Sequence, residues 1–552
     1  MDAQRPDASR WRDAAVIALA AAALRGVAFS RLGVDHFDEG GYAMSAAAIA
    51  LGDVPSGMYP LQHWLSPPIF LGLGALFMKL FGTVSAAVLL GLSAAAGAGT
   101  VAVVYLAGRR WFGRAAAGVA ALAIALSDFH ILYSRAGLTD VLFTGLFVLA
   151  VATYSLADER DSWPLAALAG LVTGLAWNTK YHGWLAGIIA AAAVLPGLIA
   201  VERRPWRPAI VRLLIAAVVA AACYAPWALY VQGQEGGYAQ LAAEHARFLK
   251  PTRALQNMLA QLRAQIYLEG WTARLAPVLM VGWAALARPE VRRMHALGWA
   301  TALVLASLAL GATTVIGLLA FAGAGLLLVR HRRRWTPHWY PLAFFAVFTM
   351  LTPLYHPYPR LLMPWFVAAA LLAGVALDAL LTAERPARAL RMTPIAAGAV
   401  LALLLVVRGL HPAADPWRPR DGLRLAAMEL DRIAREPAPI IVIGEPAVVF
   451  YLRRLGREAW HVDRPADAVR HARAGAGYYL VGGIYSRRVR GPRSLAAWLE
   501  EHPDIAAAGR AHAPDMSDVR LLDDFGPDAA RRFRRERRDD YDLAVYRVRE
   551  RP

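Results

Sequence analysis

The chain has 552 residues, of which 58% are hydrophobic and 18% charged. Soluble domains average about 45–50% apolar and about 25% charged, so an ordinary soluble enzyme is excluded, and repeated apolar runs of about 17–25 residues describe a polytopic α-helical membrane protein. Lys+Arg number 59 against 41 Asp+Glu, a net charge of +18, but these bases fall in short clusters between apolar runs, as cytoplasmic loops require, which argues against a nucleic-acid binder. The single cysteine, Cys223, rules out an intrachain disulfide.

Residues 1–13 carry Arg5, Arg10 and Arg12 and read as a cytoplasmic tail. No cleavage site follows, so the run 14–33 is expected to be a retained first span. It leads into His36-Phe37-Asp38-Glu39-Gly40-Gly41-Tyr42, and no Lys or Arg occurs from there to residue 78, which marks an external loop over 34–83. Tyr42–Leu51 reads as a short surface helix ended by Gly52-Asp53. Pro67–Phe81 is apolar but short; counting it as a span would put the Arg109/Arg110/Arg114 cluster and every later basic cluster outside, so it is expected to be re-entrant or juxtamembrane.

Further spans are expected at 84–107, 115–133, 139–157, 163–178, 183–200, 209–231, 271–287, 295–311, 312–329, 338–354, 361–382 and 394–410, thirteen with the first. The division near 311 rests on Gly311-Ala312-Thr313-Thr314. A second external loop covers 232–270 and carries Glu235, Glu244, His245 and Lys250. The membrane domain thus runs over 14–410. Residues 411–552 are charged and turn-rich, with strands expected at 440–444, 478–482 and 543–548 and helices at 447–455 and 494–501, a small α/β domain. An odd span count places it outside the membrane. No GxGxxG follows either early strand, so no nucleotide site is expected.

This topology collects ionisable and aromatic residues on the external side. Asp38 and Glu39 follow the first span; Asp128, His130, Arg135 and Asp140 lie around the next external turn. Lys180, Tyr181 and His182 separate spans 163–178 and 183–200, and Tyr355, His356, Tyr358 and Arg360 precede 361–382. A carboxylate at a membrane surface suits a general base or a cation ligand. External lysine and arginine run against the positive-inside bias and suit an anionic partner such as a phosphate. Structural alternatives are plain: Asp140 suits a helix N-cap, Lys180 and Arg360 suit snorkelling, and Tyr59 suits the interfacial aromatic belt.

FDEGGYA, HWLSPPIFLGLGALFMKLFG, YSRAGLTD, TKYHG and YHPYPRLLMP occur in that order over residues 14–410. In this the chain resembles the membrane-embedded GT-C glycosyltransferases of the protein O-mannosyltransferase and aminoarabinose transferase type. The resemblance implies a polyprenyl-phosphate sugar donor, transfer on the external face to a hydroxyl of a protein, glycolipid or glycan, and inversion at the anomeric carbon. It implies Asp38 as base with Glu39 supporting it or holding an acceptor, Asp140 as the second acid, and Lys180 and Arg360 on the lipid phosphate.

His356 and Tyr358 join the candidate donor-phosphate residues, and Tyr42, Tyr59, His63, Tyr181, His182 and Tyr355 are candidate substrate contacts. The chain departs from the pattern at Ser66, where relatives commonly carry His or Lys before Pro-Pro; His63 lies three residues earlier. A divalent cation at Asp38, Asp140 and His63 is therefore an open option, and no nucleotide or organic cofactor is expected. The alternative function is a transporter or flippase for a lipid-linked sugar, against which stands the lack of a visible internal repeat. The expected location is a bacterial inner membrane, with the site and the C-terminal domain extracytoplasmic.

Overall fold

The computed structural model describes residues 8–52, 66–199, 206–234, 236–291, 293–382, 415–462, 478–482, 505–514, 516–536 and 541–548. Arg5, Asp53, Tyr59, His63, Glu235, the span 394–410 and the helix 494–501 lie outside the described residues. The chain divides into two compact units. One comprises Met1–Gly26, Ala94–Ser134 and Thr139–Pro416, the other Val27–Ser93, Arg135–Leu138 and Trp417–Pro552.

The first unit is helical. Among the described residues, five helices are long and apolar enough to cross a membrane: Ala86–Phe112, Thr139–Glu159, Trp206–Gln232, Ala312–His331 and Pro359–Thr382. Trp163–Trp177, Leu185–Ile199, Trp271–Ala287, Arg293–Leu310 and Trp339–Leu351 are shorter helices at expected spans. The stretch 115–133 differs from the expected continuous span. It is a pair, Arg114–Ala125 and Asp128–Ser134, bent by 59°. The first run also ends early: the Ala8–Gly26 helix stops before Ala28, whose φ of 52° lies in the left-handed region, and a 3₁₀ turn follows at Phe29–Arg31.

Close packing of these helices rests on small residues, as it does where lipid removes the hydrophobic drive between helices. Met363–Gly374 is buried on all sides in the Met363–Thr382 helix. A Cβ on Gly323 would stand 2.1 Å from the Leu372 carbonyl oxygen, and one on Gly374 2.3 Å from that of Ala116. Two buried carboxylates close helix ends. Asp128 accepts the backbone N–H groups of Gly270 (2.9 Å) and Ala273 (2.8 Å) and the Thr272 hydroxyl, capping Trp271–Ala287. Glu269 accepts from Ala312 (2.7 Å) and Thr313 (2.6 Å), capping Ala312–His331 just after the break at Gly311. Each satisfies backbone donors that a helix leaves unpaired.

The second unit holds the Phe37–Leu51 and Pro68–Leu80 helices and a five-stranded sheet. The 13-residue Pro68–Leu80 helix spans about 20 Å at 1.5 Å per residue, short of a bilayer core of about 30 Å. It packs on Phe37–Leu51, where Tyr42 meets Phe70 edge-on at 6.1 Å. The strands are β1 (Ile440–Ile443), β2 (Ala459–Val462), β3 (Tyr479–Gly482), β4 (Ile505–Ala513) and β5 (Tyr541–Val548), in the order β2-β1-β3-β5-β4. The first three are parallel, and β5 runs antiparallel to β3 and β4. Strand β1 is IIVI and buried throughout, as a central parallel strand requires. The helices Gly422–Ile433 and Pro446–Arg454 pack on each other beside the sheet, and Asp518–Phe525 and Pro527–Glu536 follow β4.

Candidate active site

Three helix ends of the first unit meet at Asp140, the second residue of Thr139–Glu159. Lys180, in the turn between Trp163–Trp177 and Leu185–Ile199, donates its Nζ hydrogen bond to Asp140 Oδ1. Arg360, just before Met363–Thr382, lies with Nη1 3.9 Å from Asp140 Oδ2, an ion-pair distance too long for a hydrogen bond. Asp140 is buried, whereas the Lys180 side chain keeps 20% and Arg360 12% of their surface. Two cations thus gather around one buried carboxylate, each keeping part of its surface at the rim of a low-dielectric environment. Such a place suits an anion that brings its own charge to a partly exposed lysine and arginine.

An aromatic wall adjoins this cluster. The segment Tyr355–Arg360 is held by the loop that carries Phe248 and Lys250. His356 N–H donates to Phe248 O at 2.8 Å, Lys250 N–H donates to Leu354 O at 2.7 Å, and the Asn257 side chain donates to the Pro353 and Tyr355 carbonyls. Phe248 stacks on Tyr355 with centroids 5.7 Å apart; His356 and Tyr358 rings lie 4.4 Å apart, and the Arg360 guanidinium stands 5.3 Å over Tyr358. Tyr181 accepts from Trp227 Nε1 at 3.3 Å and meets the His245 ring edge-on at 5.4 Å. His182 packs edge-on against Phe143 at 4.5 Å. Burial, with the Lys180 ammonium adding, drives His182 down to about 3, so its ring is neutral at ordinary pH. Asp140, Lys180, Tyr181, His182, Tyr355, His356, Tyr358 and Arg360 thus belong to one neighbourhood of the first unit.

In the second unit the acid pair opens the Phe37–Leu51 helix. The His36 ring accepts from the Asp38 N–H (3.2 Å) while Glu39 Oε2 accepts from the His36 N–H (3.0 Å), a reciprocal capping box. Both acids also sit where the helix dipole favours negative charge. Their side chains differ sharply. Glu39 is wholly buried: Oε1 accepts from Gly137 N–H (2.6 Å), and Oε2 also from Asp35 N–H (3.2 Å) and Arg420 Nη2 (2.5 Å). Such a carboxylate is structural, because every direction around it is already used. Asp38 is half-buried and retains access to solvent. Tyr42 lies one turn further on and packs against Phe70.

Sequence reasoning missed Asp35 and its partners. Asp35 accepts from Arg420 Nη2 (2.8 Å), from Ser517 N–H (3.1 Å) and from Ser517 Oγ (2.9 Å). Burial alone would raise Asp35, but Arg420, with Ser517 and Arg520, brings it below the usual carboxylate range. Burial pushes Glu39 up, against the pull of Arg420 and with the charge of Asp35 adding. One signal did exist. A stretch free of Lys and Arg that buries acids must take its counter-charge from elsewhere in the chain.

The described groups around Asp140 do not make a divalent-cation site. Among the described residues no group of three or more His, Cys, Asp or Glu is placed to hold one, and Asp140 already faces an ammonium and a guanidinium.

Residues 66–230 match the family model described as dolichyl-phosphate-mannose-protein mannosyltransferase. Among curated protein sequences none matches. Among solved structures, the chain is similar to ArnT from Cupriavidus metallidurans bound to undecaprenyl phosphate, at 16% identity over 98% of each chain with a TM-score of 0.58. The apo state of the same protein aligns at 17% identity, again over 98% of each chain, with a TM-score of 0.52. An Archaeoglobus fulgidus oligosaccharyltransferase tethered to an acceptor peptide containing the NVT sequon aligns at 14% identity over 83% of this chain and 64% of that one, with a TM-score of 0.50. At these identities the structural likeness is one of fold. The chain is a membrane protein with the fold of the GT-C glycosyltransferases, and the family model covers residues 66–230 of its 552.

Proposed function

We propose that the chain transfers a sugar from a polyprenyl-phosphate donor to an acceptor hydroxyl, with inversion, on the extracytoplasmic face of a bacterial inner membrane. The observation that carries this reading is the meeting of Lys180, Asp140 and Arg360 at one end of three helices. A lysine and an arginine gathered at one buried carboxylate beside aromatic rings suit a lipid-linked phosphate better than a solvated surface. The likeness to ArnT, whose structure binds undecaprenyl phosphate, supports the donor class.

Asp38 accepts the proton of the acceptor hydroxyl as that oxygen bonds to the anomeric carbon. The bond from that carbon to the phosphate oxygen breaks, and the lipid phosphate leaves with the electron pair. A single displacement of this kind inverts the anomeric centre. Lys180 and Arg360 neutralise the charge that grows on the departing phosphate, an effect of transition-state electrostatics, and Asp140 holds the two cations in place. Tyr181, Tyr355, His356 and Tyr358 offer apolar and polar edges to sugar or isoprenoid. Glu39 supports the turn that carries Asp38.

General-base assistance is typically worth about 10²–10⁴-fold. The test is Asp38→Asn, which keeps shape and removes the base. Transfer should fall by that range while the protein still reaches the membrane and binds undecaprenyl phosphate; near-normal turnover removes Asp38 from the chemistry.

A further inference from the structure

We propose that Arg420 is a positioning residue for Asp38, so that the segment beginning at Trp417 is a working part of the transferase and not an appended module. The proposal rests on the functional reading above and concerns one compact unit, since Val27–Ser93, Arg135–Leu138 and Trp417–Pro552 pack together.

Arg420 is 2% exposed, and its contacts surround the turn before Asp38. Its backbone N–H donates to Arg31 O at 2.9 Å, and Leu32 and Arg420 form a parallel bridge. Nη2 reaches both Asp35 (2.8 Å) and Glu39 (2.5 Å), while Nη1 donates to the Arg135 carbonyl at 2.9 Å. A guanidinium fork can hold two carboxylates and a carbonyl in fixed directions; a lysine ammonium lacks that planar geometry. The acids on either side of Asp38 in sequence are therefore clamped, and Asp38 is the one left half-exposed.

A second grip comes from the far end of the chain. Ser517 donates through both its backbone N–H and its hydroxyl to Asp35, and Arg520 Nη1 reaches the Asp35 carbonyl at 3.3 Å while its Nη2 pairs with Glu445 at 2.6 Å. A third is steric. A Cβ on Gly40 would lie 2.2 Å from Ala447 N and 2.7 Å from Ala447 Cα, so the Pro446–Arg454 helix presses backbone to backbone on the turn after Asp38. Charge, hydrogen bonding and contact thus all fix the same helical turn from the C-terminal segment. A base misplaced by about 1 Å costs about 10²-fold in rate, which gives this clamp a catalytic consequence.

The test uses the full-length protein in nanodiscs, with Arg420→Met, Arg420→Lys and the milder Ser517→Ala. The measurements are kcat and KM with polyprenyl-phosphate mannose and polyprenyl-phosphate aminoarabinose, affinity for undecaprenyl phosphate, thermal melting, and hydrogen exchange of peptides over residues 35–42. Arg420→Met should lower kcat about 100-fold, leave KM and undecaprenyl-phosphate affinity within about threefold, and speed exchange over 35–42. Arg420→Lys should recover part of kcat, and Ser517→Ala should show a smaller loss of the same kind. Unchanged exchange over 35–42 overturns the proposal, as does a kcat loss that only tracks loss of phosphate affinity and thermal stability. If the wild-type chain turns over neither donor, the functional reading falls, and the exchange data still decide whether Arg420 orders the turn.

Discussion

Replacing Lys180 by methionine separates two jobs that the structure gives to one ammonium. The first is to neutralise Asp140, buried at 3% side-chain exposure beside it. Breaking a buried ion pair by removing one partner costs about 3–5 kcal/mol, because the other charge is stranded. With Lys180 20% exposed and Arg360 still 3.9 Å from the same carboxylate, the lower end, about 3 kcal/mol, is expected. The second job is to hold phosphate, where a hydrogen bond to a charged group is worth about 1.5–3 kcal/mol. At about 1.4 kcal/mol per tenfold, undecaprenyl phosphate should bind about 10- to 150-fold more weakly. The double variant Lys180→Met with Asp140→Asn tells the two apart, since it removes the stranded charge but supplies no cation. Thermal melting should then recover most of its loss while undecaprenyl-phosphate affinity stays low. Full recovery of both, or a normal affinity in Lys180→Met alone, would refute the assignment of Lys180 to the phosphate.

Other substitutions have defined outcomes. Gly40→Ala forces a methyl against the backbone of Ala447; overpacking typically costs about 1–3 kcal/mol, so melting should drop and exchange near residue 40 should rise, whereas Gly26→Ala, with nothing within 4 Å, should do neither. Asp128→Ala removes a cap with two backbone donors and a hydroxyl behind it; melting should show a loss of about 2 kcal/mol with undecaprenyl-phosphate affinity intact. His182, depressed to about 3 in the folded chain, binds protons more readily when unfolded. Stability that is full above pH 6.5 should therefore fall as pH drops from about 6.5 toward 3, by at most about 1.4 kcal/mol per unit. His182→Asn should flatten that slope in melts taken from pH 7 to pH 4, and an unchanged slope would mean that His182 does not contribute.

The candidate site was legible wherever a charge interrupted apolar sequence. Burying charge is costly in a membrane protein, so Asp140, Lys180 and Arg360 each called for a reason, and arginine-rich loops elsewhere assigned all three to one side. The structure brings the three together. The FDEGGYA stretch was legible as an acidic helix start, but the division between its acids was not. Glu39 is structural because of Gly137 and Arg420, about 100 and 380 residues away, and no local pattern announces a partner at that distance. Arg420 itself sits in RPRDG, which reads as an ordinary turn.

The same distinction holds for the fold. Strand β1, with four β-branched residues in a row, declared itself, as did β3 and β5. Strand β4, IAAAGRAHA, has almost no strand propensity and exists through its pairing with β5, with a bulge between Ala507 and Gly509. The bend at Leu126-Ser127 carries no proline or glycine. There Ser127 accepts from the His130 N–H (3.3 Å) at the start of the second helix, and Asp128 caps Trp271–Ala287, contacts that hydropathy does not register. Gly40 was visible as a glycine, yet its necessity lies in the backbone of Ala447.

Covalent transfer from a lipid phosphate is what separates a transferase from a carrier here. Purified chain should be incubated with polyprenyl-phosphate sugar labelled in both lipid and sugar, together with membranes from cells that lack this chain as the source of acceptor. Free polyprenyl phosphate should accumulate in step with sugar appearing on acceptor, and both should vanish with Asp38→Asn. Donor that crosses the bilayer of proteoliposomes while both labels stay on one molecule would show a carrier instead, and would rule out the transfer.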